Sequence, residues 1–299
     1  MLRKPVPLLL AGAALLLSGC ASDPAQQGPR LVTSVYPLEF LAREVAGDRV
    51  AVSSLTPQGA EPHDLELAPA QVRSLTTAEL VLYVSGLQPS VDDAVGEAAG
   101  TVVDAAEVLG LEDGHEEHDP AAHDGHDHDG DPHFWLDPTL LGRLAAPLAE
   151  ALAEVDPAGA ETFRANAERL AAELSEIDAE YAGRLSSCAR DVLVVSHEAY
   201  GYLAERHGLV QVGLSGLDPE GEPSPARLRE IRTVVAEHHV TTIFTEHLVS
   251  PKAAEVLAED LGVATALLDP LETQVDPEAD YRDVMRSNLE VLAEGLGCA

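Results

Sequence analysis

Between Asp113 and Pro132 the chain reads DGHEEHDPAAHDGHDHDGDP and runs directly into His133. His115, His118, His123, His126 and His128 lie there among eight acidic residues, with almost nothing apolar that could enter a core. Imidazole is a borderline-soft nitrogen ligand and carboxylate a hard oxygen ligand, so a tract of both is a loose trap for divalent cations. A merely solvated low-complexity loop needs charge but has no need for repeated histidine. Metal is therefore the chemistry against which the rest of the chain is read.

Four further residues stand out because of where they fall. His63 lies in the loop Gln58-Gly59-Ala60-Glu61-Pro62-His63-Asp64. His133 opens the run His133-Phe134-Trp135-Leu136-Asp137-Pro138, just past the tract. His197 directly follows the β-rich run Val192–Val195, and Asp269 ends Leu267-Leu268-Asp269. Any one of them alone reads as a capping or packing residue. Together they are four N/O donors at strand-to-helix turns, two from each half, which suits a tetrahedral Zn²⁺. Two carboxylates remain open. Glu61 is either an extra ligand or a solvated loop acid; Glu246 either accepts the other ring N–H of a ligand histidine or caps a helix.

Such donors need strands to carry them. Short β-rich runs at Leu31–Val35, Ala51–Leu55, Leu80–Val84 and Thr101–Asp104 alternate with helical stretches at Pro37–Ala46, Pro69–Thr77 and Val91–Ala98. A second set follows at Val192–Val195, Val210–Gly213, Thr242–Thr245 and Thr265–Leu268. Its helices are expected at Tyr200–His207, Pro225–Glu237, Pro251–Leu261 and Tyr281–Glu294. The alternation predicts an α/β fold of two four-stranded parallel-sheet lobes. Between them, Phe163, Leu170, Leu174, Ile177 and Tyr181 recur at helical spacing. The expected organisation is an N-terminal lobe over 31–156 containing the loop 113–131, one long rigid linking helix over 157–185, and a C-terminal lobe over 186–299. Ligands in open α/β sheets bind at the carboxyl ends of strands and between lobes.

The N-terminus reads as an address. Arg3 and Lys4 precede the apolar run Leu8–Leu17, which is too short to span a membrane and has signal-peptide proportions. Leu17-Ser18-Gly19-Cys20 resembles a bacterial lipobox. This implies a signal peptide over 1–19, lipidation of Cys20 and a flexible tether over 20–30, and so an extracytoplasmic protein anchored to the cell membrane. The formal charge of −34 is opposite in sign to that needed for nucleic acid. Cys188 and Cys298 remain as an even pair in an oxidising compartment, either disulfide-bonded or two separate thiols.

Residues 31–296 resemble the ZnuA-like solute receptors of bacterial ABC importers for zinc and manganese. The resemblance rests on Gly59–Asp64, Asp131–Pro138, Val194–Tyr202, Glu222-Pro223-Ser224, Ile243–Glu246 and Leu268–Leu271, in the family's order. It implies two α/β lobes joined by one long helix, metal in the cleft, and His63, His133, His197 and Asp269 as ligands. It also implies a permease and an ATPase as partners, and a monomer. Histidine at position 197 resembles the zinc members, glutamate there the manganese ones, and imidazole in place of carboxylate favours Zn²⁺ over the harder Mn²⁺. The expected function is capture of Zn²⁺ and delivery to the permease, with the histidine tract as an accessory collector. Rival readings are a manganese receptor, a surface zinc buffer or adhesin, and a zinc hydrolase. The last lacks an HExxH or GxSxG motif.

Overall fold

The computed structural model describes residues 28–111 and 130–299. The signal segment, Cys20, most of the tether and the tract histidines His115, His118, His123, His126 and His128 lie outside the described residues. Among those described, no helix is long and apolar enough to cross a membrane.

Two four-stranded parallel sheets form, and their strand orders are the same. The first contains β1 (Arg30–Thr33), β2 (Ala51–Ser54), β3 (Leu80–Tyr83) and β4 (Thr101–Asp104), ordered β2-β1-β3-β4. The second contains β5 (Val192–Val195), β6 (Val210–Gly213), β7 (Thr242–Thr245) and β8 (Ala264–Leu267), ordered β6-β5-β7-β8. In each sheet the first strand in sequence pairs on both sides. That placement makes it a switch point, and the chain leaves every strand toward the same end of the sheet.

The helices follow in chain order: α1 (Tyr36–Ala46), α2 (Pro69–Thr77), α3 (Pro89–Val95), α4 (Ala105–Leu109), α5 (Pro138–Val155) and α6 (Ala160–Leu185). The second half adds α7 (Gly201–His207), α8 (Pro225–Glu237), α9 (Lys252–Leu261) and α10 (Tyr281–Leu296). Proline in the first turn recurs in α1, α2, α3, α5 and α8, where its missing N–H costs nothing. The long helix begins at Ala160, because Pro157–Gly159 forms a 3-10 turn ahead of it. The helix expected at Val91–Ala98 starts and ends earlier, at Pro89–Val95.

The period of two along a strand divides the core. In β1, Leu31 joins one apolar cluster and Val32 another; in β5, Leu193 and Val195 face one way, Val192 and Val194 the other. The outward-facing residues pack each lobe's own helices, α2 and α3 in the first, α8 and α9 in the second. The inward-facing residues of both sheets belong to a single continuous cluster with α1, α5, α6, α7 and α10.

Helix α6 is the spine of that shared core. Phe163, Leu170, Leu174, Ile177 and Tyr181 are fully buried along it, and burying each such side chain stabilises the fold by about 2 kcal/mol. Its 26 residues extend roughly 39 Å at the helical rise. One end reaches the first lobe, where Asn166 Nδ2 donates to the carbonyl of Val45. The other reaches the second, where the Tyr181 hydroxyl donates to the carbonyl of Met285 at 2.6 Å. Midway, Arg282 of α10 bonds Glu173 of α6 at 2.6 Å and Glu44 of α1 at 3.1 Å, with its guanidinium over the Phe40 ring. Phe40 in turn stacks on Tyr281 at 5.1 Å. Behind the cleft the lobes are joined by packing as well as by chain.

Cys188 and Cys298 are disulfide-bonded, fastening the end of the chain beside the approach to β5. Ala189 and Arg190 extend the attachment with backbone bonds to Gly297 and Leu296.

Candidate metal centre

The loops after β2, β5 and β8 and the segment just ahead of α5 converge on one point between the sheets. There His63, His133, His197 and Glu272 bring one nitrogen or oxygen each within 4.8 Å of one another. Glu272 Oε1 lies 3.2 Å from Nε2 of His63, 3.2 Å from Nε2 of His133 and 3.1 Å from Nε2 of His197. The Nε2 atoms of His63 and His133 are 3.4 Å apart. A tetrahedral Zn²⁺ with bonds near 2.05 Å sets its donors about 3.3 Å apart. The cluster has the dimensions of such a shell and the donor chemistry of a zinc site.

Each donor is delivered by local structure. His63 sits in a loop whose backbone is held by Glu61, which accepts from the N–H of His63 and of Asp64, both at 3.1 Å. The Glu61 carboxylate thus shapes the loop and is not among the four clustered groups. His133 begins the buried turn Phe134–Leu136, and Trp135 fixes that turn by donating Nε1 to the carbonyl of Pro270 at 2.8 Å. His197 comes after β5 and the intervening Ser196, and its Nδ1 meets Glu246 just past β7 at 2.8 Å. Glu246 therefore stands where the sequence allowed it to stand, against a cluster histidine's other ring nitrogen.

The fourth group corrects the sequence expectation: Glu272, not Asp269, completes the cluster. Asp269 does come directly after β8 and the intervening Leu268, but its carboxylate is turned onto its own chain. It accepts from the N–H of Leu271 at 2.8 Å, while its backbone N–H and carbonyl bond the Asn288 side chain at 3.0 and 2.7 Å. Leu271 takes φ of +60°, a left-handed conformation that a leucine adopts only under such constraint. The reversal it creates sends Glu272 back into the cleft. Asp131, which sequence reasoning left inside the acidic tract, accepts from Nδ1 of His133 at 2.8 Å.

Burial and pairing set the electrostatics. Glu272 is only 3% exposed. Burial alone would push its carboxyl up, but hydrogen bonds from His133, His197 and His63 hold it well below the usual range. For His197 burial acts downward, and contacts with Glu246 and Glu272 overcome it, raising the imidazole to about 10. His133 is raised by Asp131 and Glu272 against the same burial. Glu246 is pushed up by its own burial more than His197 pulls it down. With no cation present, positive charge on imidazole neutralises the central carboxylate. A dication supplies that charge instead.

Comparison with known proteins agrees with this geometry. Residues 31–295 match the family model described as zinc-uptake complex component A, periplasmic (ZnuA). The high-affinity zinc uptake system protein ZnuA of Bacillus subtilis is 32% identical over 96% of both chains. The zinc-binding lipoprotein AdcA of Streptococcus pneumoniae is 34% identical over 97% of this chain, which spans only 61% of AdcA. Among solved structures, the laminin-binding protein Lmb of Streptococcus agalactiae, described as a bifunctional protein with adhesin and metal transporting activity, superposes with a TM-score of 0.79. It is 33% identical, and the match covers 90% of this chain and 100% of that one. AdcAII of Streptococcus pneumoniae gives 0.76 at 32% identity, covering 91% and 100%.

Proposed function

Because the chain belongs to the ZnuA family of zinc-uptake complex components, we propose that it is an extracytoplasmic receptor that captures Zn²⁺ and delivers it to a membrane permease. Members of this family are solute-binding proteins and not enzymes. Membership implies an ABC permease with its ATPase as partners and a lipid anchor in the membrane. The observation that carries the reading is the closed set of His63, His133, His197 and Glu272, in which three imidazoles and one carboxylate suit Zn²⁺ better than the harder Mn²⁺. All four donors are protein groups, which leaves no open position for a hydrolytic water. The tract histidines serve as a weak, fast-exchanging collector of ions for this tight site.

Native mass spectrometry with zinc and manganese in competition tests the reading on wild type and on a deletion of residues 113–129. The deletion stops short of Asp131, which contacts His133. One tightly held zinc in both proteins is expected, with extra weak ions in wild type only. A deletion that abolishes tight binding, or manganese displacing zinc at equal concentration, would overturn it. A second reading, adhesion, rests on the likeness to Lmb; direct binding to immobilised laminin with and without zinc tests it.

A further inference from the structure

The cluster's four groups do not explain why His133 points where it does. Its ring is fully buried, lies 5.2 Å from Trp135 and 5.4 Å from the rings of both His63 and His197. Packing of flat rings alone leaves a histidine two orientations that exchange its nitrogens. Asp131 removes that choice. Its Oδ1 accepts from the backbone N–H of His133 at 2.9 Å and faces ring Nδ1 at 2.8 Å. One oxygen therefore holds both the main chain and the ring of the residue two positions on. The Asp131 backbone is itself held from the other lobe: the hydroxyl of Tyr202, on α7, donates to its carbonyl at 3.2 Å.

We propose that Asp131 is a positioning residue for the zinc centre, setting the tautomer and the aim of His133; this rests on the reading of the cluster as a zinc site. With one proton held on Nδ1, Nε2 is the nitrogen turned to Glu272 Oε1 at 3.2 Å, and it is Nε2 that gives up its proton and offers its lone pair when an ion enters. The carboxylate behind the ring also raises the donor strength of that lone pair. Glu246 stands in the same relation to His197, also at 2.8 Å, so that the two most buried imidazoles are each backed by an acid from outside the four. Asp131 differs in its second attachment. Through Tyr202, the aim of a first-lobe ligand depends on a helix of the second lobe.

The experiment compares wild type, Asp131→Ala and Asp131→Asn in zinc affinity by chelator competition, in the visible spectrum of the Co²⁺-substituted protein, and in metal-free melting temperature. Loss of an acceptor behind a ligand histidine weakens metal binding roughly 10- to 100-fold, and this is expected for Asp131→Ala. Asp131→Asn keeps an oxygen acceptor in place but not its charge, and is expected to recover part of the affinity and the wild-type Co²⁺ band shape. An alanine variant that binds zinc as tightly as wild type overturns the proposal. So do equal losses in both variants matched by equal falls in melting temperature, because they mark general damage to the fold. Wild type that takes up no zinc instead overturns the reading on which the proposal stands.

Discussion

The backbone N–H of Gly59 donates to Oγ1 of Thr273 at 2.7 Å, across the cleft from one lobe to the other. Gly59 has φ of +75° and lies four residues ahead of His63; Thr273 follows Glu272. The loops that carry two of the four clustered groups are therefore tied to each other by a bond that involves no metal. Thr273→Val keeps the shape and removes the acceptor. A neutral hydrogen bond of this kind contributes about 1 kcal/mol, or roughly fivefold in a rate if the whole effect falls on opening. Zinc release into excess chelator, followed by stopped flow, should accelerate by that order. A rate equal to wild type would show that the tie does not restrain the site.

Glu272 and Asp269 are three residues apart and are expected to answer differently. Glu272→Gln removes the anionic member of the cluster, and a fall in zinc affinity of roughly 100-fold or more is expected from loss of a charged group in a buried site. Asp269→Asn leaves all four clustered groups and weakens only the bond that shapes the turn at Leu271. Its cost should be about 1 kcal/mol, seen mainly in thermal stability. Calorimetric titration of both variants decides the point: an asparagine variant as impaired as Glu272→Gln would restore Asp269 to the ligand set.

The pH response follows from the directions of the shifts. His197 is raised from 6.5 to about 10, so its share of the metal-free protein's stability is whole below pH 6.5 and fades as pH rises toward 10. Glu272 is held well below 4.5, so its share is whole above pH 4.5 and is lost as pH falls through that depressed value. Zinc requires neutral imidazole and must expel the protons that the metal-free cluster keeps. The rise in melting temperature on adding zinc should therefore widen between pH 6 and pH 8.5. Binding heats at pH 7.5 should also differ between phosphate and Tris, in proportion to the protons released. Equal heats in the two buffers would rule out proton release.

Arg282 ties the helices behind the cleft together, joining α10 to Glu173 on α6 and Glu44 on α1. Its side chain is 23% exposed, so the pairs are screened in part. Arg282→Met should lower stability by about 1–2 kcal/mol, with the loss shrinking at high salt. Urea unfolding at two salt concentrations measures this. A salt-independent loss would mean that packing on Phe40, and not charge, accounts for the contribution.

The inner strands were legible because both of their faces are covered, so that Leu80–Tyr83 and Val192–Val195 read as short continuous apolar runs. The edge strands, such as Ala51–Ser54, are more exposed and were legible through their alternation with helices. Helix α5 was not anticipated. Leu141, Leu144, Leu148 and Leu152 carry the helical period, but Pro147 falls inside it and reads as a break. His63 and His197 were legible as donors in the loops that follow strands, and His133 as a donor too, although it stands ahead of α5 and not at a strand-to-helix turn. Glu272 was not, because the chain passes the strand end, turns at Leu271 and only then returns. The available signal was a second acid in the same turn, three residues after Asp269. Asp131 was hidden by its neighbours, since in the sequence it is one of eight acids in the tract and nothing marks it off from the rest.

The Cys188–Cys298 bond joins positions 110 apart, and β5 to β8 with α7 to α10 all lie between them. The second lobe is in consequence closed into a covalent ring. A protease that cuts the ring once opens a loop but releases no fragment, so His197 and Glu272 remain in one molecule after a nick. For a receptor working outside the cell, the ring turns a single cut in the second lobe from a loss of the segment carrying Glu272 into an opening of one loop.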